Sequence, residues 1–224
     1  MFLTACYTGM RTGEACALTW DNIDFKKRII SIEHDVYSKV KDEKGRWYIS
    51  TPKTKKGIRT VYICNTLLIA LKNYKNKQEE LKKMYGKDYH YYHVENVTNI
   101  FNKVVEQRIV EVSKKKKESI INLIFTKEDG PFIGTDIIRY PYKVIHKELG
   151  IKNCRFYDLR GSFATVSLRN GAKIREIADI LGHSNVETTE NYYISSSNET
   201  LKSTIKNFEN NVQSDIINNI IKYK

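Results

Sequence analysis

The hydrophobic period changes once along this chain, and that change constrains the fold more than any other feature. Between residues 28 and 63 the apolar residues alternate moderately, with Val61 and Ile63 at period two, the pattern of strands with one buried face. The strand-like pieces are 28–37, 47–51 and 59–63, separated by turns at 42–45 and 55–57. After residue 64 the spacing becomes three and four. Leu67, Leu68, Leu71, Tyr74, Gln78 and Leu81 follow one helical stripe, opened by Asn65 and stopped near Gly86. The expected fold is therefore α+β: mainly helical, with a small three-stranded antiparallel β-sheet packed at one side.

Further helices are expected around this switch. Thr12 can cap a short helix over 13–18, with Glu14 in its first turn, and 20–25 reads as a turn. Residues 95–112 read as a helix with Val97, Ile100, Phe101, Val104 and Val105 on one side. The lysine run 114–117 ends it as a solvated stretch, and 120–126 is a short apolar segment before the turn Asp129-Gly130-Pro131. A helix over 142–149 has Pro141 at its start, where proline is tolerated. The last third alternates short helices with stops: 158–169 up to Gly171, 173–181 up to Gly182, and 186–193.

A tail helix is expected from about residue 198. Its apolar positions Leu201, Ile205, Phe208, Val212, Ile216 and Ile220 need a groove, on this body or on a neighbouring subunit. These readings divide the chain into a body, 1–195, and a tail helix, 196–224. The chain opens directly on an apolar, helix-like stretch, with Gly9 and Gly13 close behind. The first helix of the domain, and any domain before it, are therefore expected to be missing.

Charge narrows the partners. Thirty-eight Lys and Arg against 26 Asp and Glu give a net +12, and the pI is about 9.4. A field of that sign attracts polyanions, nucleic acid above all, because neutralising phosphates releases counterions. No stretch approaches the roughly 20 apolar residues of a membrane helix, and no signal peptide is visible. The four cysteines, Cys6, Cys16, Cys64 and Cys154, are scattered without metal-type spacing, as befits reduced thiols in a cytoplasmic protein.

Three clusters carry the candidate chemistry. In Thr8-Gly9-Met10-Arg11-Thr12-Gly13-Glu14, two glycines frame an arginine at a tight corner, and Glu14 lies three residues on, able to hold the guanidinium. In Arg155-Phe156-Tyr157-Asp158-Leu159-Arg160, Tyr157 and Arg160 share one face of a helix start. In Leu181-Gly182-His183, followed by a helix carrying Tyr192, a histidine sits in the corner between two helices.

Singly each is ordinary: an arginine in a turn, an ion pair at a helix start, one of 15 tyrosines. Together they match what metal-free attack on a phosphodiester needs. Two arginines can grip the non-bridging oxygens in paired hydrogen bonds, and such donors count most as charge builds in the transition state. A phenol with pKa near 10 needs a base or a strong positive field. The leaving 5′-oxygen needs a proton from a lysine or histidine. No carboxylate cluster of the kind that holds Mg²⁺ is visible, so no metal or other cofactor is expected.

In this order the clusters resemble those of the tyrosine recombinases, the family of phage and conjugative-transposon integrases. TGMRTGEACALTWDNIDF resembles the family's first arginine box, PKTKKGIRTVYI its catalytic-lysine hairpin, and FYDLRGSFAT with LGHSNVETTENYY its second box. The resemblance covers residues 8–193. It implies a catalytic domain that cuts and rejoins DNA at specific sites through a 3′-phosphotyrosyl link, on double-stranded DNA and in a tetramer joined through the C-terminal tail.

By the same resemblance Arg11 and Arg160 clamp the phosphate, His183 is a further donor, and Lys53 protonates the leaving oxygen, with Lys55 as the alternative. Lys55, Lys56 and Arg59 contact DNA. Tyr192, nine residues after the glycine–histidine corner, is the nucleophile. Where the family usually has histidine, three residues before the second arginine, this chain has Tyr157. A phenol there can donate to phosphate but is a poor base at neutral pH. Two other readings share the positive charge: a truncated, catalytically inactive DNA-binding remnant of an integrase, and an enzyme like a type IB topoisomerase, against which the integrase-like boxes speak.

Overall fold

The computed structural model describes residues 1–39, 46–52, 54–112, 119–151 and 154–194, with backbone alone at 191–194. The expected tail helix, its apolar stripe and Lys53 lie outside the described residues.

Helices α1 (Phe2–Thr8) and α2 (Thr12–Ala17) flank the corner that carries Arg11. Strands β1 (Ile23–Asp24), β2 (Ile29–Ile32), β3 (Asp35–Tyr37), β4 (Trp47–Ser50) and β5 (Arg59–Tyr62) follow. Helix α3 spans Asn65–Tyr85 and ends at Gly86, as the stripe and its stop signals predict. The bounds of α2, α4 (Arg139–Lys147), α5 (Phe156–Arg169), α6 (Ile174–Leu181) and α7 (Glu187–Ile194) fall within a few residues of expectation. Pro141 sits in the first turn of α4, where its missing N–H costs no helical bond.

The sheet expectation needs two corrections. The three sequence strands do not pair with one another in a single sheet. Strand 28–37 breaks at Glu33–His34 into β2 and β3, which enter different sheets. One sheet is three-stranded, in the order β1-β2-β5, with Ile30 opposite both Ile23 and Val61. The other is four-stranded, in the order β3-β4-β7-β6, and it recruits strands from beyond α3.

Those recruited strands are the second correction. Residues 95–112, expected as a helix, lie in an antiparallel hairpin of β6 (Tyr92–Thr98) and β7 (Val104–Glu111). Ile100, Phe101, Val104 and Val105, taken as one side of a helix, lie exposed at or beside the hairpin turn. Asn99 closes that turn by accepting the N–H groups of Phe101 and Lys103 on its side chain, and Asn102 takes a positive φ of 56°. Asparagine turn chemistry and a valine-rich, β-branched composition outweighed the apparent helical spacing.

The main core joins the three-stranded sheet, α1, α2 and α3 through residues such as Ile30, Ile32, Val61, Leu67 and Leu71. A second cluster, with Cys16, Val36, Trp47, Ile49 and Ile109, seats α2 on the four-stranded sheet. A third binds α5 to α6 through Ala164, Ile177 and Leu181. Buried Gln78 ties α3 down: its amide donates to the carbonyls of Leu123 (3.2 Å) and Ile124 (3.0 Å) and accepts from the Trp20 indole at 2.6 Å. No helix among the described residues is long and apolar enough to cross a membrane.

Candidate active site

Segments far apart in sequence meet at the C-terminal end of α6. The helix ends in a tight reversal. Gly182 takes φ 70°, its N–H donates to Asp179 O (3.1 Å), and the His183 N–H donates to Ala178 O (2.9 Å). A side chain on Gly182 would press within 2.7 Å of the Lys56 carbonyl, so the corner and the turn before β5 touch backbone to backbone.

The last carbonyls of a helix lack intrahelical partners and carry partial negative charge. Here two arginines take them. Arg59 Nε donates to Ile180 O at 2.6 Å, and Arg160 Nη2 donates to Leu181 O at 2.5 Å. The other arm of Arg160, Nη1, donates to Gly9 O at 2.7 Å, at the left-handed end of α1. One buried guanidinium thus bridges two helix C-termini. Any side chain at Gly9 would collide with Leu181, so glycine lets the two helix ends approach. Arg160 is 1% exposed, and its Nε has no hydrogen-bond partner among the described residues. Burial, then the charge of Arg11, lowers its pKa to about 10, which leaves it cationic at neutral pH.

Glu14, in the first turn of α2 and 2% exposed, organises the other two arginines. Its carboxylate accepts the Arg11 backbone N–H and Arg11 Nη1, each at 2.7 Å. From the opposite side Arg59 donates through Nη1 (2.9 Å) and Nη2 (2.8 Å), a paired fork on one carboxylate. Burial acts to raise the Glu14 pKa; the bonds and charge of Arg59, then Arg11, outweigh it and hold it at about 2. Arg11 keeps 37% of its side chain exposed and lines a cleft of about 760 Å³, together with Glu14, Asp35, Tyr37, Pro52 and Thr54. Burial, then the Glu14 charge, raises the Asp35 carboxyl.

His183 is buried in the same neighbourhood. Burial, then Arg160, Arg11 and Arg59, lower its pKa to about 4, so the imidazole is neutral at pH 7. Its Nδ1 lies 2.8 Å from the hydroxyl of Thr189, a fully buried residue of α7. Three guanidinium groups against Glu14 and Asp35 leave the cluster net positive even with both acids ionised.

The sequence candidates fare differently. Arg11, Arg160 and His183 come together. Tyr157 lies one turn before Arg160 on α5, half-exposed and close enough to act on the Arg160 charge. Lys55 and Lys56 sit exposed on the turn before β5, with Lys56 3.6 Å from Asp179. The backbone of Tyr192 lies on α7; its side chain, like Lys53, is outside the described residues.

Arg59, also expected at the DNA, has a side chain 5% exposed and bonded to Glu14, Gly57 O and Ile180 O. The register of β5 carried that information: Arg59 stands two before Val61 and four before Ile63, on the strand face that points inward. Sequence reasoning also missed Asp35 and Thr189, for which no local pattern gave a signal. Among the described residues no group of three or more His, Cys, Asp or Glu is placed to hold a metal ion.

The phage integrase family profile matches residues 1–199, and the chain belongs to that family. It is similar to the tyrosine recombinase XerC-like protein of Caldanaerobacter subterraneus subsp. tengcongensis, 31% identical over 198 residues, 86% of this chain and 44% of that one. It is also similar to the ICEBs1 integrase of Bacillus subtilis, 30% identical over 192 residues, 86% and 43% of the two chains. The chain thus spans less than half the length of these relatives.

Among solved structures, the Tn1549 transposon integrase in complex with a circular intermediate DNA shares the fold. Its TM-score is 0.63 at 19% identity, over 92% of this chain and 57% of that one. The XerA recombinase matches with a TM-score of 0.51 at 23% identity, over 84% of this chain and 50% of that one.

Proposed function

We propose that this chain is the catalytic part of a tyrosine-type site-specific recombinase, an integrase that cuts and rejoins double-stranded DNA without a metal ion. The observation that carries the reading is the convergence of Arg11 and Arg160, from opposite ends of the body, on the corner of His183, with α7 bearing Tyr192 directly after it. Arg11 and Arg160 donate to the non-bridging oxygens of one phosphate, and His183 and Tyr157 are further donors. The Nε–H of Arg160 is a buried donor in reserve for such an acceptor.

The cleft beside Arg11 gives the DNA backbone an approach. Tyr192 gives its proton to solvent water and bonds to phosphorus, the P–O5′ bond breaks, and Lys53, or Lys55 in its stead, gives the leaving oxygen its proton. The 5′-hydroxyl of a second strand then attacks the phosphotyrosyl link and releases Tyr192, restoring the backbone without external energy. Lys55 and Lys56 meet neighbouring phosphates. Arg59 holds Glu14 instead, so that Glu14 can hold Arg11. The body is residues 1–195. The tail, 196–224, lays its apolar stripe on a neighbouring protomer in a tetramer on DNA, in the cytoplasm.

A library of nicked duplexes with randomised sequence tests the reading, because a nick near the cleaved bond lets the 5′ product diffuse away and traps the covalent complex. The expected result is an adduct that survives detergent, is unaffected by EDTA and is lost in Tyr192→Phe. Tight DNA binding with no adduct from the unaltered chain would leave only a DNA-binding remnant.

A further inference from the structure

Thr189 is the group in this site that neither the sequence nor the reaction scheme above uses. It is fully buried, and its hydroxyl lies 2.8 Å from Nδ1 of His183. It stands in the first turn of α7, three residues before Tyr192 on the same helix. We infer that Thr189 is a positioning residue: its hydroxyl donates to His183 Nδ1, pinning the neutral imidazole as the Nε2–H tautomer and tying the histidine corner to the helix that carries Tyr192.

The direction of the bond follows from the neighbouring acceptors. A threonine in a helix usually gives its hydroxyl proton to the carbonyl three or four residues back. The carbonyl three back, Val186 O, already accepts the N–H groups of Thr189 (2.7 Å) and Glu190 (3.1 Å). Among the described residues the Thr189 hydroxyl has one hydrogen-bond partner, His183 Nδ1 at 2.8 Å. A neutral imidazole carries one ring proton, so if Nδ1 accepts, Nε2 bears it. That tautomer makes His183 a donor, and a phosphate oxygen requires a donor. The same bond couples two placements: a shift of α7 that moved Tyr192 would drag on the ring, and a rotated ring would loosen α7. The inference rests on the recombinase reading for its effect on cleavage but not for the tautomer.

Nitrogen-15 correlation spectra of the full chain at pH 7 test it, with the His183 signals assigned by their loss in His183→Gln. The expected wild-type pattern has Nε2 protonated and Nδ1 unprotonated. In Thr189→Val, which keeps the shape without the hydroxyl, the signals should move toward a mixture of tautomers. Adduct formation should fall about tenfold, the equivalent of one hydrogen bond. Thr189→Ser should restore both. A wild-type ring with its proton on Nδ1 would overturn the inference, and so would a Thr189→Val variant with unchanged tautomer or unchanged cleavage. Should the variant fail to fold, the wild-type spectrum still decides. An Nε2–H ring in a chain that forms no adduct would defeat the recombinase reading and leave the tautomer assignment standing.

Discussion

Arg160 reaches the active corner from inside the molecule, and Arg11 reaches it from the rim. Arg160 is 1% exposed and held by two neutral carbonyls at the ends of α1 and α6. Arg11 is 37% exposed and held by a carboxylate, Glu14, which is itself neutralised by buried Arg59. The carbonyls orient Arg160 without cancelling its charge. Glu14 would cancel the charge of Arg11, were Arg59 not placed behind it. The site therefore keeps positive charge at both anchors by two different means, one built into helix ends and one requiring a third arginine. The first makes function and folding inseparable at Arg160; the second separates them at Arg11.

Three substitutions probe that contrast. Arg160→Ala should have the largest consequences, because it strips two helix ends of their partner and removes the donor proposed for the phosphate. Adduct formation should drop by about 10²–10³, and the melting temperature should fall as well, since each orphaned buried acceptor costs about 1–3 kcal/mol. A variant with wild-type stability would refute the claim that this guanidinium joins the helix ends. Arg59→Met comes next. It leaves Glu14 buried with one partner, and breaking a buried pair costs about 3–5 kcal/mol. Chemical denaturation should show that loss, and Glu14→Gln in the same background should recover part of it. Arg11→Ala should cost about 10²–10³ in cleavage with little change in stability, because the partly exposed side chain leaves Glu14 still paired with Arg59. A large fall in melting temperature at Arg11 would erase the distinction between the two anchors.

Much of this corner was legible before the structure, and the reasons are local. Arg11 between two glycines, Arg160 on a helix start and His183 after Gly182 are each placed by backbone signals a few residues long. What was not legible depended on partners far along the chain. β2 and β3 read as one alternating strand, yet β2 pairs with β1 and β5 while β3 pairs with β4, so they belong to different sheets. The 95–112 segment offered both a helical spacing and an asparagine-closed turn; pairing with Trp47–Ile49 decided for the hairpin. The burial of Arg59 could be read from its register with Val61, whereas its bonds to Glu14 and Ile180 O depend on partners far along the chain. Thr189 left no pattern at all: its meaning lies in a ring nitrogen six residues back and around a helix corner.

Acid sharpens the comparison further, with a smaller effect. His183 takes up a proton near pH 6.5 when unfolded but only near pH 4 in the folded corner. Between those values the unfolded chain binds the extra proton, so stability falls as pH drops, by at most about 1.4 kcal/mol per pH unit. Glu14 adds to this at lower pH. Its folded value of about 2 lies below the usual 4.5, so its contribution is full above pH 4.5 and is lost as pH falls toward 2. Melting temperatures taken from pH 7 to 4 should therefore decline in wild type and decline less in His183→Gln. Equal slopes would mean that the imidazole is not held neutral by burial and the arginines.

The smallest effects belong to the exposed lysines, where the site meets solvent. Lys55 and Lys56 touch no core, and the Lys56–Asp179 contact at 3.6 Å joins two exposed groups, a pair of the kind worth about 0–1 kcal/mol. Substituting either with alanine should leave the fold untouched. If each meets a phosphate, each substitution should reduce the salt dependence of DNA affinity by about 0.9 log units per log unit of salt. For Lys56→Ala the cleavage step at saturating DNA should stay as in wild type, because that charge only raises the local concentration of the duplex. Lys55→Ala discriminates more. If Lys53 gives the leaving oxygen its proton, Lys55 behaves like Lys56 and only affinity changes. If Lys55 gives it, cleavage slows at saturation too, and a nicked substrate with a 5′-bridging sulfur, whose leaving group needs no proton, restores the rate.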